Sequence, residues 1–135
     1  MDLIESLRNI PGFLMYFGSS IVLTLIFSFI YTHLTPYKEL DLIRQGNLAA
    51  VYSYGGALLG FIIPLSSAIS HSVNIFDMAI WGIVAVIIQS ITFFVVRLLF
   101  PTIVEDIPQN SVSHGIFLGL CSVSVGILNA ACMSY

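Results

Sequence analysis

The stretch RQGNLAAVYSYGGALLG, Arg44 to Gly60, passes without a turn signal from a charged, amide-rich opening into small and aromatic residues. A fainter version returns at PQNSVSHGIFLGL, Pro108 to Leu120. A polar opening followed by an unbroken apolar run is how a helix enters a bilayer. Asn47 and Asn110 can each accept hydrogen bonds from first-turn N–H groups that hydrocarbon would leave unpaired. The stretch therefore reads as the start of a membrane span, and its recurrence suggests that the chain makes the same entry twice.

Working outward, composition agrees. Hydrophobic residues make up 58% of the 135-residue chain and charged residues only 8%, against about a quarter charged in a soluble domain. Four apolar runs approach or exceed the roughly 20 helical residues that cross a hydrocarbon core: Phe13 to His33, about Leu48 to Ile69, Phe76 to Phe100, and about Val112 to Met133. The runs are apolar on both parities, which a barrel with a polar lumen would not tolerate, so the spans are helices. The first run has no basic leader and ends in Thr32-His33-Leu34, so it reads as a retained span and not a cleaved signal. Before it, Leu3, Ile4, Leu7 and Ile10 share a helical face opposite Asp2, Glu5, Arg8 and Asn9. Residues 1–12 are thus expected to form a short amphipathic segment along the interface, ending at Pro11-Gly12.

Sliding the chain by 63 positions aligns Asn47 with Asn110, Gly56 with Gly119, Leu65 with Leu128 and Ala68 with Ala131. The same shift places span one on span three and span two on span four. The expected fold is an all-α membrane protein of four transmembrane helices, built as two tandem two-helix repeats over 13–71 and 72–135. A unit with an even number of spans keeps its orientation when copied, so the repeats should be related by an axis along the membrane normal. Lys38, Arg44 and Arg97 lie in or beside the first and third connections, and Arg8 alone on the other side. Those connections are expected to face the cytoplasm and both termini the periplasm.

Ser53, Gly56 and Gly60, then Gly115, Gly119, Ser122, Gly126 and Ala130, recur at spacings of three and four. Side chains so spaced share one helix face, where lack of bulk lets a second backbone come close. Helices two and four are therefore expected to be the inner pair, with Gln89 in span three bonding to a neighbouring helix. Pro64 inside span two reads as a kink or a hinge, and Asn129 as a cap or a contact. Candidate contacts to a partner or to lipid are Arg44, Asn47, Asn110, Glu105 and Asp106, each asparagine being a plain cap or a cap that also recognises something. The acidic residues before the asparagines, Glu39 and Asp41, then Glu105 and Asp106, read as solvated loops.

Chemistry is sparse. His33, His71 and His114 have no second ligand at helical spacing, so no metal and no cofactor is expected. Cys121 and Cys132 fall in one span, about 16 Å of helix rise apart, and cannot bridge. Catalytic motifs such as Gly-x-Ser-x-Gly or His-Glu-x-x-His are absent from the sequence, and no enzyme is expected. Lys and Arg number four in all, which supports no nucleic-acid partner.

Two copies of a two-helix unit, with Gly46-Asn47-Leu48-Ala49-Ala50 in the first, resemble the bacterial inner-membrane family catalogued as domain of unknown function 350. The second copy departs from that pattern, with Gln109 in place of Gly and Val112-Ser113 in place of alanines. The resemblance implies a multi-pass protein of the bacterial cytoplasmic membrane and a context shared with membrane-stress proteins. Two functions are expected to compete. One is an interaction or scaffold module for envelope maintenance, self-associating in lipid and docking a peripheral partner. The other is a small channel or transporter, against which the near absence of charge inside the spans argues.

Overall fold

Hydrophobic length sets the elements. In the computed structural model, which describes residues 2–133, the helices are α1 (Leu3–Leu34), α2 (Glu39–Arg44), α3 (Leu48–His71), α4 (Ile75–Leu99), α5 (Ile103–Asp106) and α6 (Val112–Cys132). Met1, Ser134 and Tyr135 lie outside the described residues, and with them the chain ends expected to face the periplasm. The helices α1, α3, α4 and α6 are long and apolar enough to cross a membrane. At 21 to 32 residues they rise about 31 to 48 Å, so α1 overruns a core of about 30 Å.

That overrun revises one expectation. Helix α1 continues through Pro11-Gly12, with no break to set off residues 1–12. Pro11 lacks the N–H that would bond the Leu7 carbonyl, but residues 2–15 are exposed throughout. Water or headgroups can satisfy that carbonyl at no great cost. Asp2 starts the helix by accepting from the Glu5 N–H at 2.8 Å.

Helix α3 is the centre of the bundle, touching α1, α4 and α6. Ala49 lies against Gly115, Tyr52 and Gly56 against Gly119, and Gly60 against Ser122 and Gly126. The paired numbers rise together, so α3 and α6 run in the same direction with their backbones in contact. A methyl group built on Gly56, Gly60, Gly115, Gly119 or Gly126 would fall within the facing backbone. In four of them the hydrogen carried instead points at a carbonyl: Gly115 at Ala49, Gly119 at Tyr52, Gly60 at Ser122 and Gly126 at Gly60. These are the weak Cα–H···O contacts of close helix pairs. The last of them resolves Pro64. Its ring removes the N–H that would bond the Gly60 carbonyl, α3 nonetheless continues to His71, and the freed oxygen is met by Gly126 from the neighbouring helix.

Gln89 of α4 closes the seam. It is fully buried, and its Nε2 donates to the Ser122 carbonyl at 3.0 Å, beside Gly60. Helix α1 packs on the other flank of α3, where Phe27 stacks on Phe61 with ring centroids 4.5 Å apart, and Tyr54 Oη donates to Ser28 Oγ at 2.7 Å.

The two connections have the same backbone course. Gly46 N–H bonds the Ile43 carbonyl and Asn47 N–H the Leu42 carbonyl; Asn110 N–H bonds Ile107 and Ser111 N–H bonds Asp106. Each residue in the second pair of bonds stands 64 positions after its counterpart. Asn110 therefore matches Gly46, not Asn47, and the expected offset of 63 is one short at this point. The reason is conformational. Gly46 has φ +83° and Asn110 φ +62°, and asparagine is one of the few side chains that tolerates the left-handed region.

Candidate functional site

The two connections meet on one side of the bundle and are joined by asparagines. Asn47 caps its own helix, its Oδ1 accepting from the Ala50 N–H at 2.9 Å. Its Nδ2 crosses to the second connection and donates to the carbonyls of Ile107 at 2.9 Å and Pro108 at 3.2 Å. Asn110 replies in the other direction, its Oδ1 accepting from the Ala49 N–H at 3.1 Å. This corrects the reading of Asn110 as the cap of its own span: it caps α3, while Ser111 stands at the N-cap of α6 without a side-chain bond to it. One helix start thus takes bonds from both connections.

The contributions differ in size. Asn47 is buried and makes three bonds, whereas Asn110 is exposed and makes one. Losing a cap costs about 1 kcal/mol, and stranding buried carbonyls adds a comparable amount. Asn47→Ala is expected to cost about 2–3 kcal/mol, and Asn110→Gly, which removes the bond while keeping the left-handed backbone accessible, about 1 kcal/mol. Thermal unfolding of the two variants in the same lipid checks the order, and equal losses would contradict it.

Of the other expected contact residues, Arg44 is exposed and pairs with Asp41 at 3.2 Å, an arrangement worth little in water. Glu105 is exposed. Asp106 is not a plain solvated acid. It is half-buried, accepts from Thr102 Oγ at 2.8 Å, and lies 3.5 Å from His114 Nε2, whose Nδ1 faces Ser111 Oγ at 2.6 Å. This pairing joins residues across the α5–α6 corner, so no helical spacing in the sequence announces it. Asn129 is half-buried and its Nδ2 has no hydrogen-bond partner among the described residues. Among the described residues no three His, Cys, Asp or Glu side chains converge.

The largest departure concerns Glu39, read above as solvated. It is 1% exposed, at the first position of α2, and Thr35 Oγ donates to its Oε1. The cause is tertiary. Thr35 to Glu39 folds back under the end of α1, placing Tyr37 toward Ser53 of α3 and bringing Tyr37 and Glu39 close to Tyr31, whose ring Tyr54 of α3 also faces. The edge of Phe93 lies against Tyr31, at 6.0 Å between ring centroids. Two polar atoms in this aromatic enclosure, Glu39 Oε2 and Tyr31 Oη, have no hydrogen-bond partner among the described residues, while Tyr37 Oη faces Ser53. Burial pushes the Glu39 carboxyl up to about 7, against a smaller lowering by the Thr35 hydrogen bond, and raises the Tyr37 phenol. A cleft of about 470 Å³ lined by Thr35, Tyr37 and Glu39 opens from here past Lys38, Asp41 and Arg44.

Comparison with known proteins follows the same lines. The family described as Domain of Unknown Function (DUF350) matches residues 5–133. The chain is 40% identical over 129 residues to the UPF0719 inner membrane protein YjfL of Escherichia coli (strain K12), covering 96% of this chain and 98% of that one. It is 25% identical over 118 residues to the UPF0719 transmembrane protein YshE of Bacillus subtilis (strain 168), covering 86% and 88%. No solved structure matches.

Proposed function

The chain belongs to the family described as Domain of Unknown Function (DUF350), and from that premise we propose a multi-pass inner-membrane interaction module, built as two tandem two-helix repeats. Supporting the duplication are the matched backbone bonds of the two connections and the parallel run of α3 and α6. Supporting the location are its relatives, named as inner membrane and transmembrane proteins, and its four spans.

One observation carries the functional reading: the two connections are fastened to each other by Asn47 and Asn110 into a single ordered surface. Loops that served only to join spans would not need cross-links between them. An ordered polar face, with Lys38, Asp41, Arg44 and Glu105 exposed on it, is what a peripheral partner docks against. The partner we propose is a peripheral protein of envelope maintenance, and self-association in lipid is part of the same reading. The second reading, a small channel or transporter, is favoured by the buried acid Glu39 beside an open cleft. Purification in native lipid, with identification of copurifying proteins and a flux assay on the same material, separates them. A reproducible partner without flux supports the module; flux without a partner reverses the order.

Orientation follows from the basic residues. The connection that carries Lys38 and Arg44 and the one that follows Arg97 are both expected in the cytoplasm. Cysteine placed at Gln109 should resist an impermeant thiol reagent in intact cells, and cysteine at Val73 should react. The opposite pattern rejects the assignment.

A further inference from the structure

We propose that Glu39, with Tyr31 and Tyr37, forms a buried proton-binding site that exchanges with the connection side of the bundle through the adjoining cleft. This inference stands whether the bundle docks a partner or carries flux.

Four observations support it. First, Glu39 lacks a counter-charge: among the described residues no ion pair reaches it, and its one bond to a side chain comes from the neutral Thr35 hydroxyl. An ionised carboxylate in that setting is costly, and uptake of a proton removes the charge. Second, the unpartnered atoms are chemically matched. Glu39 Oε2 becomes a donor once protonated, and the neighbouring Tyr31 oxygen can accept from it, or donate to it once it ionises; Tyr37, whose hydroxyl faces Ser53, is the second phenol beside the carboxyl. Buried polar groups without partners are uncommon enough to require such an explanation. Third, packing alone does not call for an acid here. Ile103, 64 positions on and also the first residue of its short helix, is likewise fully buried. The corresponding position of the second connection therefore accepts a wholly apolar side chain. Fourth, there is a route, because the cleft that Glu39 helps to line opens among exposed residues.

The groups around it are few. Helix α1 contributes Tyr31, and His33 at the cleft; the turn contributes Tyr37 and the exposed Lys38; α2 contributes Asp41, paired with Arg44; α3 contributes Tyr54, already bonded to Ser28. Helix α4 presents the ring of Phe93 to Tyr31 and contributes no side chain to the cleft. Of these, Glu39 alone combines full burial with an acid that ionises near neutrality.

Infrared spectroscopy of the full chain in lipid nanodiscs tests the site through the carbonyl stretch of a protonated carboxyl group. Expected is a band that persists at pH 6 and disappears with a midpoint near pH 7, and that is missing from Glu39→Gln. Should that variant fold poorly, Glu39→Ile copies the side chain found at Ile103, and Tyr37→Phe keeps the acid while moving the midpoint by at least about half a unit. A band that persists in Glu39→Gln, or one already lost at ordinary carboxylate pH in the wild type, overturns the proposal. So does a midpoint that falls when sodium replaces N-methylglucamine at constant ionic strength, which would make an alkali ion the occupant.

Discussion

Gly119→Leu is expected to abolish the folded bundle. A methyl group on Gly119 would already overlap the Tyr52 carbonyl, and one on the facing Gly56 would overlap the backbone of Gly119. Backbone cannot rotate aside as a side chain can, so three further carbons must force the α3–α6 seam apart. That separation also removes the Gln89 bond to Ser122 and uncovers the Gly60 carbonyl freed by Pro64. Ordinary overpacking costs about 1–3 kcal/mol. Here the loss of several contacts at once should exceed about 4 kcal/mol, enough to unfold a marginal domain. Gly56→Leu should behave alike. Gly55→Leu is the control, since a Cβ there meets nothing within 4 Å. Size-exclusion profile and thermal unfolding of the three variants decide it. Normal assembly of Gly119→Leu would mean that the seam is not closed by backbone contact.

The second large effect is a dependence of stability on pH. The Glu39 carboxyl rises from 4.5 to about 7 in the folded chain, so the folded state binds the proton more tightly than the unfolded state. Stability from this group is complete below about pH 4.5, declines as pH rises, and is fully lost above about pH 7, where the folded chain holds a buried carboxylate. A shift of this size corresponds to roughly 3 kcal/mol. Glu39→Gln, neutral at every pH, should remove that slope between pH 4.5 and 7 without altering the rest of the profile. Denaturation curves across this range, in buffer free of alkali cations, measure it. A wild-type curve parallel to that of Glu39→Gln would show that the acid is solvated after all.

Much of this molecule is legible one residue at a time. Span number and limits follow from apolar length, because a helix must rise about 30 Å without exposing its backbone to hydrocarbon. The α3–α6 seam follows from glycines at spacings of three and four, because these lie on one face whatever the helix packs against. Those properties belong to single helices, and periodicity encodes them. What only the tertiary structure decided are the relations between segments far apart in sequence. Asn110 gives its bond to the start of α3, 61 positions away, since its left-handed backbone turns it from its own helix toward the other connection. Pro11 leaves α1 unbroken in a stretch that no other part of the chain covers, and the sequence does not state how far a helix projects. Glu39 looks like any loop acid beside Lys38 and Asp41. Its burial comes with the packing of Tyr31 of α1 and Tyr37 of the turn beside it, Tyr31 being held in turn by Tyr54 and Phe93, and burial, unlike helical period, is a property of the neighbours that assemble around a residue.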